Sequence, residues 1–197
     1  MNATDILPAT RRQLLIAAAG AVLLPGTGPA TAAEPALPVT PTAARKHEFA
    51  FLNGKWRVQH RKLKARLAGS TEWHEFEGTC HAWELLDGMG NADDNIFHDP
   101  TGSYRGAAFR RVDPKTGLWN IWWFDERYAE VGVPMQGGFK DGVGTFLADE
   151  MFNGKPIKVR FIWSEITRTS ARWEQAFSPD GGKSWETNWV MRFERTA

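Results

Sequence analysis

The chain has 197 residues, with 24 basic and 23 acidic side chains and an aromatic content of 12%. That length accommodates one domain with its own hydrophobic core. A net charge near zero argues against a general nucleic-acid binder, and the single cysteine, Cys80, excludes both an internal disulfide framework and a cysteine-rich zinc site.

Residues 1–33 are predicted to be a cleavable export signal. Arg11 and Arg12 precede an apolar run over 14–24, and Ala30-Thr31-Ala32 offers small residues to a signal peptidase. The paired arginines within TRRQLL resemble a twin-arginine signal, and an ordinary Sec signal is the alternative. The apolar run is too short for a membrane span. These features predict a periplasmic or secreted protein without a membrane span.

The remaining chain is predicted to be one all-β domain over 45–197, after a flexible proline-rich spacer over 34–44. One short helix is predicted, from Ala44 to Leu52. Beyond it, apolar and polar residues alternate with period two between turn signals. The predicted strands are 55–64, 72–86, 91–98, 104–113, 118–127, 133–139, 143–152, 157–167, 170–178 and 185–195. Ten sequential strands with short connections predict a closed antiparallel up-and-down barrel, since closure removes the sheet edges.

Two-residue turns at Asp141-Gly142 and Asn153-Gly154 fix the register of two hairpins. Both registers place the same apolar side chains, among them Phe146, on one inward face. The predicted pairs are Lys140 with Val143, Phe152 with Lys155, Phe146 with Phe161, Ala148 with Val159 and, on the solvent side, Asp149 with Lys158.

The last hairpin has a longer loop, and its register is chosen to keep every aromatic residue on one side. This choice pairs Phe177 with Trp185, Gln175 with Thr187, and Trp173 with Trp189. It leaves Gln175 and Thr187 as polar exceptions on the inward face. The predicted inward side chains are Trp56, Val58, His60, Met135, Phe139, Phe146, Val159, Phe161, Trp163, Trp173, Phe177, Trp185, Trp189, Met191 and Phe193.

The strand at 118–127 is apolar on both faces, so its orientation stays open. One face holds Trp119, Ile121 and Trp123, while the other holds Trp122 and Phe124. The face that points outward needs a cover, and the helix at 44–52 or a second subunit could provide it. The sequence therefore allows a homodimer formed through an aromatic outer face.

Gly54-Lys55-Trp56 resembles the opening G-x-W of lipocalin-like barrels, in which the Trp closes one end. Longer strings carry a further resemblance: FLNGKW, WHEFEG, AAFRRVDPKTGLWNIWW, GVGTF, VRFIWS and ARWEQAFSPDGGKSWETNWVMRF. Together they resemble an uncharacterised family of bacterial exported proteins with a lipocalin-like (calycin) domain of unknown function, over residues 47–195. The resemblance implies a calycin barrel and supplies no activity.

Residues 178–185, SPDGGKSW, match the Asp-box pattern S-x-D-x-G-x-x-W. The Asp180 carboxylate can cap loop amides, the glycines permit a positive φ, and Trp185 can pack beneath the loop. Sialidase propellers repeat this pattern several times, whereas it occurs once here. We therefore interpret it as a structural hairpin.

The five histidines show no metal-binding spacing, so no metal site is predicted and no cofactor is required. A haem barrel of the nitrobindin type needs one inward histidine, for which His60 or His81 is available. Cys80 and His81 are adjacent in a strand and should point to opposite faces. The acidic run over 93–95 is too short for a calcium loop and is interpreted as solvated.

The resulting hypothesis is a barrel whose aromatic lumen binds a small apolar or aromatic molecule. An enzyme in the same barrel, with Asp125 or His60 as acid or base, is one alternative, and carbohydrate binding on exposed Trp side chains is another. A lumen filled completely by aromatic side chains would exclude a ligand. The candidate ligand-binding residues are Arg110, Trp123, Asp125, Phe161, Trp163, Gln175, Thr187 and Trp189.

Overall fold

A computed structural model describes residues 45–196; the predicted signal and spacer lie outside them. Ten antiparallel strands form a closed barrel in which neighbours in sequence are neighbours in space, and the last strand pairs with the first. The predicted up-and-down barrel is confirmed. No helix among these residues is long and apolar enough to cross a membrane. The strands are β1 Gly54–Leu63, β2 Trp73–Leu85, β3 Gly90–Phe97, β4 Tyr104–Val112, β5 Trp119–Asp125, β6 Met135–Lys140, β7 Val143–Phe152, β8 Lys155–Ser164, β9 Ser170–Ser178 and β10 Glu186–Arg195.

The two short turns set the registers that the sequence predicts. The first residues of the turns, Asp141 and Asn153, have φ values of 51° and 49°, and the glycines that follow are also in the left-handed region. Such backbones match the twist of a hairpin and favour Asp-Gly and Asn-Gly. All five predicted pairs occur, and the Nζ of Lys158 lies 3.2 Å from Asp149 Oδ1.

The structure settles the orientation of β5. Trp119 and Ile121 are buried inside the barrel, while Trp122 pairs with Phe109 on the outer face. A hydrogen bond from Asp113 N to Leu118 O, 2.8 Å long, closes the loop that fixes this register. The outer face of β5 is therefore the aromatic face that the sequence left without a cover.

Residues 45–53 close one end of the barrel, which we call the closed end. The predicted helix at 44–52 is replaced by turns over 46–49 and a short 3-10 helix, Ala50–Leu52, because His47 adopts a φ of 64° that interrupts an α-helix. Phe49 enters the lumen and meets the inward ring of Trp119 edge-on at 4.9 Å. This segment thus plugs the barrel and does not cover the outer face of β5, contrary to one of the two predictions.

Trp56 seals the same end from the first strand. Its Nε1 donates to Leu52 O at 2.6 Å, and the Arg195 guanidinium lies 4.1 Å from its ring centroid. Arg195 also donates to the carbonyl oxygens of Phe51 and Asn53. The last strand therefore fastens the plug to the first strand, and the expected role of Trp56 in closing one end is realised.

The opposite end, the mouth, is interrupted on one side. β5 and β6 share three residue pairs, whereas β4 and β5 share seven. On β5 the pairing with β6 stops at Ile121, so residues 122–125 form a notch in the wall beside the loop 126–134. The wall is therefore held by fewer residue pairs here than between any other two neighbouring strands.

The predicted register of the last hairpin is wrong. Gln175 pairs with Trp189 and Trp173 pairs with Met191, because a β-bulge between Thr187 and Trp189 adds one residue to β10. Thr187 pairs with Ala176 and faces outward.

Trp185 precedes β10 and lies outside the barrel rather than on the predicted inward face. Its ring packs beneath the guanidinium of Arg160 at 4.4 Å, and Arg160 alternates with inward residues of β8. The assumption that all aromatic residues of this hairpin share one side is therefore the reason why the predicted β9–β10 register is wrong.

Candidate functional site

The lumen has two halves with different contents. In the closed half, Phe49, Trp119, Phe146 and Trp163 are all buried and fill the interior with the plug. In the open half, the inward side chains remain partly exposed although they lie within strands: Ala148, Phe161, Gln175, Trp189 and Met191. The aromatic side chains therefore do not fill the lumen completely, and the accessible part adjoins the mouth.

A buried polar network occupies the wall of the closed half. Arg110 Nη2 lies 2.6 Å from Asp93 Oδ2, and its Nη1 donates to Asn91 Oδ1 at 2.8 Å. Asp93 also accepts from Ala108 N at 3.0 Å and from the Asn95 amide. Asp93 is 4% exposed, so the prediction that the 93–95 run is solvated is wrong. Arg110 is committed to this network and does not reach the open half.

Aromatic rings converge near the mouth in what we call the mouth cluster, made of His60, Phe76, Phe97, Tyr104 and Trp189. His60 stacks on Phe76 with ring centroids 4.7 Å apart and planes 9° apart, and Phe97 stacks on Tyr104 at 4.5 Å. Trp189 completes the cluster, with its ring centroid 5.9 Å from the ring centroids of both His60 and Phe97. The alternation of β1 and β2 directs the first two rings into the lumen.

Three polar atoms of the mouth cluster are buried without a hydrogen-bond partner among the described residues: His60 Nδ1, Tyr104 Oη and Trp189 Nε1. Each such group costs about 1–3 kcal/mol when left unpaired. Burial lowers the pKa of His60 to about 3 and raises that of Tyr104, so both are neutral at pH 7. The cluster is therefore apolar in shape but keeps unused hydrogen-bonding capacity.

Two ionisable side chains of the open half were missed by the sequence analysis. Lys62 follows His60 by two residues and faces inward, with its Nζ 4.6 Å from the Trp189 ring centroid. Burial is the largest of the causes that lower the pKa of Lys62 to about 8, and the positive charges of Arg66 and Arg127 lower it further. Glu150 faces inward from β7, and burial raises its pKa. Strand alternation from Trp56 and Phe146 was the signal that would have found both.

The carboxylates at the mouth are already engaged. Asp125 Oδ1 and Oδ2 accept from Arg127 Nε and Nη2 at 2.8 and 2.7 Å. Although burial raises the pKa of Asp125, these hydrogen bonds hold it below its usual value. Asp99 accepts from the amide and hydroxyl of Thr101 at 2.9 and 2.6 Å. No contact within the described residues joins Asp125 to His60, so the two are not brought together as an acid–base pair.

The eight predicted site residues lie in five different places. Trp123, Phe161, Gln175 and Trp189 line the open half, and Asp125 lies at its rim. Arg110 belongs to the closed network, Trp163 packs at the closed end, and Thr187 lies outside the barrel. The Gln175 amide donates to Asn188 Oδ1 at 2.8 Å, so the buried bulge residue and not Thr187 is its partner.

The histidine geometry does not fit haem. His81 lies on the outer face, opposite to Cys80 as predicted. His60 is inward, but its Nε2 points at the wall, only 2.7 Å from where a Cβ on Gly78 would lie. Its ring is also surrounded by three aromatic neighbours.

The outer face carries a second set of aromatic side chains, which we call the outer row: Trp83, Phe109 and Trp122. Successive strand pairs connect Trp83 to Phe109 through Ala92, and Phe109 to Trp122. Trp83 is 41% exposed. Beside this row, exposed Phe124 lines a groove of about 250 Å³ under residues 128–131. We place the candidate site in the lumen, because three unpartnered buried polar atoms converge there in the mouth cluster.

Within residues 45–196, no group of three or more His, Cys, Asp or Glu side chains is arranged to hold a metal ion. Comparison of the sequence with protein-family models and with curated proteins gives no match in either case.

Proposed function

We propose that this chain is an exported lipocalin-like protein that binds a small apolar or aromatic molecule in the open half of its barrel. The observation that carries the proposal is the mouth cluster, in which three buried polar atoms have no partner inside an otherwise aromatic and partly accessible lumen. Small-molecule sites combine such apolar walls with a few convergent polar groups. A bound molecule would satisfy atoms that the protein leaves unpaired.

The sequence resemblance supports the same proposal. The G-x-W at β1, which closes the barrel end in this structure, is what lipocalin-like domains share. The twin-arginine-like string before a short apolar run supports a location in the periplasm or outside the cell.

The test is native mass spectrometry of the protein purified from its own host, with a matched pair of Ala→Trp variants. Ala148 faces the open half, and Ala107 faces outward on β4. We expect a co-purified small molecule in the wild type and in Ala107→Trp, and its loss in Ala148→Trp. Retention in Ala148→Trp would place the ligand outside the lumen.

The outer row supports a second candidate function, carbohydrate binding. Three aromatic side chains in register across four strands form a strip on which sugar rings can stack. Retardation of the protein in a polysaccharide gel, lost in Trp83→Ala, would support this function.

A second copy of the chain could instead cover the outer row and form a homodimer. In that case light scattering would show a molecular mass that rises with protein concentration, and this rise would disappear in Trp83→Ala.

A further inference from the structure

Several hydrogen-bond donors around the open half have no acceptor among the described residues, and no ion pair there joins the inward carboxyl of Glu150 to any of them. The Trp189 indole can only donate, and the Tyr104 hydroxyl is buried without a hydrogen-bond partner of good geometry among the described residues, although Arg127 lies against its ring. Lys62 adds an ammonium group that lies against the face of the Trp189 ring, and no hydrogen bond or ion pair within residues 45–196 engages it. An occupant that complements this set must bring acceptor atoms.

The carboxylates beside Lys62 have other hydrogen-bond partners. Arg127 is bound to Asp125 through two hydrogen bonds, and Asp99 is bound to Thr101. Asp99 and Asp125 act on Lys62 electrostatically, but within residues 45–196 neither carboxylate forms an ion pair with its Nζ. A desolvated ammonium without a counter-ion is costly, and a carboxylate placed beside it forms a charge-assisted hydrogen bond.

We propose that the ligand is an organic monocarboxylate with an apolar or aromatic body, whose carboxylate binds Lys62 Nζ and Trp189 Nε1. This inference rests on the proposed function and specifies its substrate class. The body of the ligand lies against Phe161 and Met191, which face the accessible part of the lumen. The carboxylate remains at the rim, where the ammonium group reaches it.

The experiment compares naphthoate with the uncharged naphthamide by isothermal titration calorimetry. These probes share an aromatic body and differ in the charge of one group. We expect the wild type to bind naphthoate at least about tenfold more tightly, which corresponds to about 1.4 kcal/mol. We expect Lys62→Met to lose this preference while still binding naphthamide.

Lys64→Met is the matched control, because Lys64 is exposed and pairs with Glu72 outside the lumen. It should retain the preference for naphthoate. Equal affinity of the wild type for both probes would overturn the carboxylate inference and leave the proposed binding function standing. Binding of neither probe would overturn the binding function and the inference together.

Discussion

The ion pair between Asp93 and Arg110 is a buried interaction whose removal should be costly. Both side chains are nearly inaccessible, with 4% and 6% exposure, so either one left alone would be an uncompensated charge in the barrel wall. We expect Asp93→Ala to lower the free energy of unfolding by about 3–5 kcal/mol in chemical denaturation.

The matched control replaces both partners, as Asp93→Leu together with Arg110→Met. This pair removes the charges without leaving one buried, so it should recover most of the lost stability. A double variant as unstable as Asp93→Ala would show that the network stabilises the fold through its hydrogen bonds to Asn91 and the backbone.

His60 should make the stability of the protein depend on pH below neutrality. Its pKa is about 3 in the folded protein and 6.5 in the unfolded chain, so between these values only the unfolded chain takes up the proton. Stability is therefore lost as the pH falls below 6.5. Between pH 6.5 and about pH 4, we expect wild type to lose roughly 3 kcal/mol more than His60→Phe.

The measurement is urea denaturation of both proteins across that range. His98→Phe is the control, because His98 is exposed and its replacement should leave the wild-type pH dependence unchanged. Parallel curves for wild type and His60→Phe would contradict the assignment of His60 as a buried neutral imidazole.

The inward position of Lys62 was predictable from its neighbours, while its importance was not. Alternate residues Trp56, Val58 and His60 face inward, and the same period reaches Lys62. The sequence does not show which residue of β10 lies opposite Lys62. That residue is Trp189, because the bulge at Asn188 shifts the register of β10. The candidate site therefore needed the tertiary structure even though its residues obey strand alternation.

At the level of hairpins, turn chemistry decided what could be predicted. Asp141-Gly142 and Asn153-Gly154 leave one favourable geometry each, and all the pairs derived from them occur. The loop from Pro179 to Trp185 imposes no such constraint on β9 and β10. Its register depends on the bulge, which buries Asn188 and moves Trp185 outside. A pattern of aromatic residues alone does not reveal an extra residue in a strand.

The Asp-box loop should depend on the charge of Asp180. Its carboxylate accepts from Ser184 Oγ at 2.6 Å, and from the amides of Lys183 and Ser184. These hydrogen bonds hold the pKa of Asp180 well below its usual value of 3.8, and those from Ser184 have the largest effect. Their contribution is present above that pH and is lost as the carboxylate becomes protonated.

We therefore expect Asp180→Asn to melt a few degrees below wild type at pH 7, and the difference to shrink as the pH falls below 3.8. Differential scanning calorimetry provides the measurement. Asp141→Asn is the control, because Asn suits that turn and should leave the melting temperature unchanged. A ligand-binding defect in Asp180→Asn without a stability defect would contradict the structural interpretation.

For the whole protein, we predict that export depends on Arg11 and Arg12. Replacing both with Lys retains the charge but removes the arginine pair of the TRRQLL string, so the precursor should accumulate in the cytoplasm. Immunoblotting of cell fractions would measure this. Unchanged export in a host strain that lacks the twin-arginine translocase would show that the Sec route carries the protein.

The short seam between β5 and β6 has a consequence for kinetics. With three residue pairs holding it, this part of the wall should separate at a lower free energy than its neighbours, and its amide protons should exchange with solvent first. The plug and Arg195 fasten the opposite end, so the opening is confined to the side of the mouth. A ligand that enters through this part of the wall can bind only when β5 and β6 separate. Its association rate constant then reports how often these two strands open.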